Sequence, residues 1–301
     1  MEIHRSHHRN DNMVSISIPP SDQFAAPAHC HIDASSNTEH TVDTLYVMMA
    51  QDFTKDSCCD YLHHVDNDDG VPNEFSVIGC YRITEDDRTK IVDWCYSVID
   101  SCQLNRESVA MAMNIVDRFM SNPRRVSGNG ISPRFSRREI HHDRVKYQLL
   151  AVSALYIAIK VNERVVLSSE ELAAVSRGIY SKESIEAMEC TILDCLSWRV
   201  CVPTALQVGN VIFELMIAKV KEANISIMAC RIESIREELA YQTEIAVRDY
   251  QLALQRPSTV AFMAIMNAIE IERKVNDCEI EVLFKALAEI LIHVKSLTSD
   301  V

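Results

Sequence analysis

The sequence predicts an all-α fold: two tandem helical bundles behind a flexible, disordered N-terminal tail. Three observations predict it. The chain has 301 residues and 48% hydrophobic content but only 6 Gly and 8 Pro, a composition that suits helices and a length that suits about two domains. Apolar residues recur at helical spacing in successive blocks from Thr84 onward. Finally, the segments 149–159 (LLAVSALYIAI) and 259–269 (TVAFMAIMNAI) are apolar on every side, as expected of a helix at the centre of a bundle. Two central helices of one kind imply two bundles of one kind.

Residues 1–41 are polar, hold Pro19, Pro20 and Pro27 and lack sustained periodicity, so they read as the tail. Residues 42–53 (VDTLYVMMAQDF) predict a short amphipathic helix that opens a lead-in segment, 42–83, with a loop containing Asn67, Asp68, Asp69, Gly70 and Pro72. The first bundle follows at 84–201. Thr84 with Asp87 gives an N-cap signal for a helix at 84–102, whose apolar face carries Ile91, Cys95, Val98, Ile99 and Cys102 and is extended one turn by Arg88. Asn105 caps the next helix, where Asp117 sits within the stripe of Val109, Met113, Val116 and Met120.

The segment 122–143 holds Pro123, Gly128, Gly130 and Pro133 beside basic residues and predicts an exposed insertion rather than a helix. A third helix at 145–161 contains the first central segment and ends at Lys160, where the helix dipole favours a cation. Ser168 with Glu171 makes a capping box for a short fourth helix, and Ser181 caps a fifth whose stripe (Ile185, Met188, Ile192, Leu196) includes Glu189. The second bundle spans 202–297, with helices expected at 204–220, 225–247, 257–272 and 277–295.

One pattern in the first bundle bears on function. Arg88, Asp117, Lys160 and Glu189 each place a charge on the apolar stripe of a different helix. Such a charge is costly unless it is paired or handed to a partner, so two acids and two bases placed this way point to a binding module rather than an enzyme.

Composition narrows the classes further. The net charge of −13 argues against a general nucleic-acid surface, although 123–146 holds seven Arg or Lys against two acids. The arginine pairs there (Arg124 with Arg125, Arg137 with Arg138) would make at most a short, divided nuclear-import signal. None of the eleven Cys forms a C-x-x-C pair, and several fall in helical patterns, which favours reduced thiols packed as small apolar groups. With no apolar run of about 18 residues and no signal-peptide core, a soluble, intracellular protein with no membrane partner is expected. No P-loop, G-x-G-x-x-G or G-x-S-x-G string occurs, and no cofactor or metal is expected. The His142–Asp143 doublet resembles the metal-binding pair of helical phosphohydrolases, but it lies at the edge of the insertion without helical His ligands beside it.

Four stretches, 88–94 (RTKIVDW), 114–121 (NIVDRFMS), 148–160 (QLLAVSALYIAIK) and 180–196 (YSKESIEAMECTILDCL), resemble the successive helices of a cyclin box in order and spacing. The resemblance covers about 84–200 and, more loosely, 203–297 as a C-terminal cyclin fold. The stretch 45–62, ending in CCDYL, and YQLALQRPSTVAFMAI in the second half look D-like. Arg88, Asp117, Leu149, Lys160 and Glu189 match the hallmark residues of the box one for one. The resemblance implies an internal ion pair between Arg88 and Asp117. It implies kinase contact by Lys160 and Glu189, extended by Glu163 and Leu149 and helped by the lead-in helix near Leu45–Met49.

Ile91 and Trp94 fall where some cyclins dock substrates, but Asp87 and Lys90 interrupt the apolar pattern there. Residues 1–40 contain no R-x-x-L destruction string, and L-x-C-x-E is absent. The function implied is a G1-type regulatory subunit of a cyclin-dependent serine/threonine protein kinase, with that kinase and its protein substrates as partners. The alternative is a cyclin-fold transcription or scaffold protein that activates no kinase, which would need a basic concave face.

Overall fold

The computed structural model describes residues 34–52, 58–63, 81–122, 135–164, 167–224, 227–273 and 280–298. All regular elements among them are helices, as the composition predicts. Of the expected basic insertion, 123–134 lies outside the described residues, as do residues 1–33 of the tail and most of the lead-in loop.

Helix α1, Ala34–Asp52, starts within the stretch expected to be a flexible tail. The helical periodicity of 42–53 marks only its packed half. Its preceding turns carry polar residues, and Thr44 Oγ1 reaches back to donate to the His40 carbonyl at 2.8 Å. The first bundle is built from α2 (Glu85–Ser101), α3 (Glu107–Ser121), α4 (Arg137–His141), α5 (Arg144–Asn162), α6 (Ser169–Val175) and α7 (Lys182–Cys195). The second contains α8 (Ala205–Glu222), α9 (Ala229–Arg248), α10 (Tyr250–Ala253), α11 (Pro257–Arg273) and α12 (Ile280–Thr298).

Helix starts follow side-chain chemistry. Thr84 Oγ1 accepts from the Asp87 amide at 3.3 Å while Asp87 Oδ2 accepts from the Thr84 amide at 2.9 Å, so both halves of the capping box are present. The same reciprocal arrangement opens α6 through Ser168 and Glu171 and α8 through Thr204 and Gln207. Asn105 Oδ1 accepts from the Glu107 amide at 2.9 Å, Asp143 caps α5 through the amides of Val145 and Lys146, and Ser181 caps α7. Within the expected insertion the chain forms the short helix α4, held by Ile140, whose side chain is buried in the first core. One apolar residue in five was too little periodicity to reveal it.

Helix α5 is the axis of the first core, packed by α3, α7, α4, α2 and α6. Every residue of 149–159 is buried except Tyr156, and Ser153, the one polar residue of the run, is satisfied by the Ile185 carbonyl at 3.2 Å. Helix α11 has the matching place in the second core against α9, α8 and α12. It buries Ala261, Ala264, Ile265, Ala268 and Ile269 but exposes Met263 and Met266, so it is not covered on every side as its sequence predicts.

The lead-in divides its loyalties. Leu45 and Met49 of α1, one turn apart, are buried in the second core beside α8, whereas Tyr61 and Leu62 are buried in the first. Tyr250 of α10 belongs to the first core although it follows α9 in sequence. Between the bundles the Tyr96 ring lies between two guanidinium groups, Arg106 at 4.5 Å and Arg248 at 4.6 Å from its centroid. Arg106 pairs with Glu244 at 2.9 Å and Arg248 with Asp93 at 2.8 Å.

Candidate functional site

The four stripe charges separate into two pairs of different character. Arg88 and Asp117 are 1% and 2% exposed. The guanidinium grips the carboxylate with both prongs, Nη2 to Oδ2 at 2.7 Å and Nε to Oδ1 at 3.0 Å. A charge buried this deeply is tolerable only when its remaining donors and acceptors are satisfied, and they are. Tyr61 Oη donates to Asp117 Oδ1 at 2.8 Å, and Arg88 Nη1 donates to the carbonyl of Val247 at 2.8 Å. The pair therefore joins α2 to α3 and also holds the C-terminal end of α9 in the second bundle.

Around this pair the chain builds a hub. Tyr250 Oη accepts from the Leu62 amide at 3.1 Å and donates to Asp60 Oδ1 at 3.0 Å, and its ring meets that of Tyr61 edge-on at 5.4 Å. Burial pushes the Tyr61 and Tyr147 phenols and the Cys58 thiol up, and the charge of Asp117 adds to the effect in each. All three stay neutral beside the ion pair. None of the aromatic partners was identifiable as such from sequence, although Tyr61 and Tyr250 lie in the two stretches that look D-like.

Lys160 and Glu189 are placed differently. Lys160 Nζ donates to Glu189 Oε1, with the side chains 33% and 13% exposed. This pair bridges the C-terminal turn of α5 and the middle of α7 on the outside of the first bundle. Lys160 Nζ also lies 4.1 Å from the centroid of the Tyr156 ring. Val161, the next residue along the helix, is 44% exposed, so an open apolar side chain follows the ion pair at this end of α5. The carboxylate can accept from backbone amides and the ammonium can donate to carbonyls of a partner element.

Other expected contacts are placed elsewhere. Leu149 is 5% exposed inside the first core, where it serves the bundle rather than a partner. Glu163 turns back on its own chain: Oε1 accepts from the Asn105 amide at 2.9 Å and from Ser108 Oγ at 2.7 Å, tying the end of α5 to the start of α3. Leu45 and Met49 are committed to the second core, while Tyr46 and Val47 between them are 39% and 55% exposed, so only one face of the part of α1 expected to assist a partner is covered. Ile91, at 9% exposure, and the half-buried Trp94 both pack on the first core, and α2 has no exposed large apolar residue. The expected substrate-docking patch is therefore not open there.

His142 Nδ1 approaches the Arg138 carbonyl at 2.9 Å and Asp143 is spent on capping α5. Among the described residues no group of three or more His, Cys, Asp or Glu could hold a metal ion, and no helix is long and apolar enough to cross a membrane. The cavity of about 400 Å³ between the bundles reaches Arg88 and Asp117 but neither Lys160 nor Glu189.

Residues 57–201 match the family model for the cyclin N-terminal domain. Among curated proteins, Cyclin-A2-2 of Arabidopsis thaliana is 26% identical over 186 residues, 62% of this chain and 37% of that protein. The G2/mitotic-specific cyclin-2 of Antirrhinum majus is 34% identical over 123 residues, 41% of this chain and 24% of that protein. Cyclin-B1-4 of Arabidopsis thaliana is 28% identical over 194 residues, 64% of this chain and 43% of that protein. The chain thus spans less than half the length of these relatives. A solved viral cyclin from herpesvirus saimiri is 14% identical, with a TM-score of 0.46, covering 69% of this chain and 87% of that one. The matched residues span the bundle formed by α2 to α7.

Proposed function

We propose that this chain is a cyclin: a regulatory subunit, without chemistry of its own, that binds and activates a cyclin-dependent serine/threonine protein kinase. The observation that carries the reading is the Lys160–Glu189 pair, held on the outside of the box by two helices that are otherwise committed to the core. Because α5 is packed on nearly every side, its last turn is a rigid mount. A rigid surface that fits only one arrangement of a mobile kinase helix and activation loop shifts their population toward that arrangement.

Magnitudes set a condition on this mechanism. Moving a kinase from about 1% to about 99% active requires roughly 5.5 kcal/mol of differential binding. One desolvated charge pair supplies about 2–5 kcal/mol by truncation. Apolar contact around it, beginning with Val161, must supply the remainder.

The kinase and its substrates are the partners in this reading, and the protein acts in the nucleus and cytoplasm. A G1 role rests on the D-like stretches at 45–62 and 250–265, whereas the relatives above carry A-type and mitotic names. The test is a panel of purified cyclin-dependent kinases of both classes, each titrated with the full chain while phosphorylation of a histone substrate is followed. At least one kinase is expected to gain activity saturably, and preference for a G1-class or mitotic-class member assigns the phase. If no kinase gains activity, the reading is wrong.

A further inference from the structure

We propose that Tyr156 is a positioning residue for Lys160: its ring face and Glu189 together fix the ammonium, leaving one N–H directed at the partner. The inference rests on the docking reading above for its consequence, though not for its geometry.

Tyr156 is the only residue of 149–159 that is not buried. It lies one helical turn before Lys160, the spacing at which two side chains on a helix meet. The Lys160 ammonium sits 4.1 Å from the ring centroid while donating to Glu189 Oε1. An ammonium carries three N–H donors on a flexible four-carbon stem. Glu189 engages one, and the negative face of the ring attracts the positive charge from a second side. Two restraints from different directions define where the third N–H points, which neither restraint does alone.

The consequence is preorganisation. A lysine a third exposed would otherwise lose rotamer freedom when a partner binds. With the ring in place much of that loss occurs on folding. A leucine at 156 would fill the same place on the helix without holding a cation.

The geometry is tested on the full chain with ε-¹³C-labelled lysine, assigning the Lys160 signal by its disappearance in Lys160→Ala. Ring current should shift the Lys160 ε-methylene protons upfield in the wild type and in Tyr156→Phe, and that shift should vanish in Tyr156→Leu and in the unbranched Tyr156→Met. The consequence is tested by affinity for whichever purified kinase of the panel binds the wild-type chain. Tyr156→Phe should bind within about twofold of wild type and Tyr156→Leu or Met about 5- to 20-fold more weakly, the range expected for a cation over a ring. In a Lys160→Ala background the same replacements should change affinity by less than about twofold, because the cation they position is gone.

A Lys160 signal at the unshifted position in the wild type overturns the inference, as does an equal loss of affinity from Tyr156→Leu with and without Lys160. An intact ring-current shift with Lys160→Ala harmless to kinase binding leaves the positioning standing and overturns the docking reading instead.

Discussion

Asp117→Ala is expected to destabilise the chain by about 3–5 kcal/mol, the cost of leaving a buried charge without its partner. Arg88 would remain 1% exposed, its Nε and Nη2 donors facing an empty site, and Tyr61 Oη would lose its acceptor. Against a typical total of about 5–15 kcal/mol this is about a fifth or more of the stability. Arg88→Ala should cost a similar amount and additionally strip the Val247 carbonyl of its donor. Arg88→Lys keeps the charge but loses the two-pronged grip, and should fall between. The measurement is denaturant unfolding followed by circular dichroism: the midpoint should fall with the slope unchanged. The double replacement Arg88→Ala with Asp117→Ala should cost clearly less than the sum of the singles, because each single leaves the other charge stranded. Unfolding free energies within about 1 kcal/mol of wild type would show that the hub does not hold the fold.

The second large effect is its opposite in kind. Lys160→Ala with Glu189→Ala should leave unfolding almost untouched, since a pair of this exposure contributes about 0–1 kcal/mol. Kinase affinity should nevertheless fall roughly 100-fold, the scale of losing a charge pair that becomes desolvated in an interface. Exchanging the two, Lys160→Glu with Glu189→Lys, separates the roles: the internal pair can re-form while the donor and acceptor presented to the kinase are reversed. Stability retained with activation lost in the exchanged protein is the expected outcome. Activation retained in either double variant would show that the kinase is held elsewhere.

The division between a pair that folds the chain and a pair that faces outward was only partly legible in the sequence. A charge interrupting an apolar stripe identified all four residues, because helical periodicity is local and 3.6 residues per turn fixes which face each occupies. Cap chemistry located the starts of α2, α6 and α7 for the same reason. What periodicity does not carry is which elements meet across the chain. Tyr250 reaches Leu62 across 188 residues and Arg88 reaches Val247 across 159, so the stitching of one bundle to the other became visible only in three dimensions. Burial likewise decided the fate of the remaining candidates. Leu149 lies in the core, Glu163 closes on Asn105 and Ser108, and Leu45 and Met49 pack on α8 rather than toward a partner. The short helices α4 and α10 have too few turns to leave a periodic signal.

The claim that the outer edge of α5 and α7 receives the kinase is tested most directly by amide hydrogen exchange of the full chain with and without a saturating activated kinase. New protection is expected to concentrate in 156–164 and 186–193, with the α9 and α11 amides of the second bundle exchanging as in the free protein. Protection confined to the second bundle, with the turn around Lys160 unchanged, would contradict it.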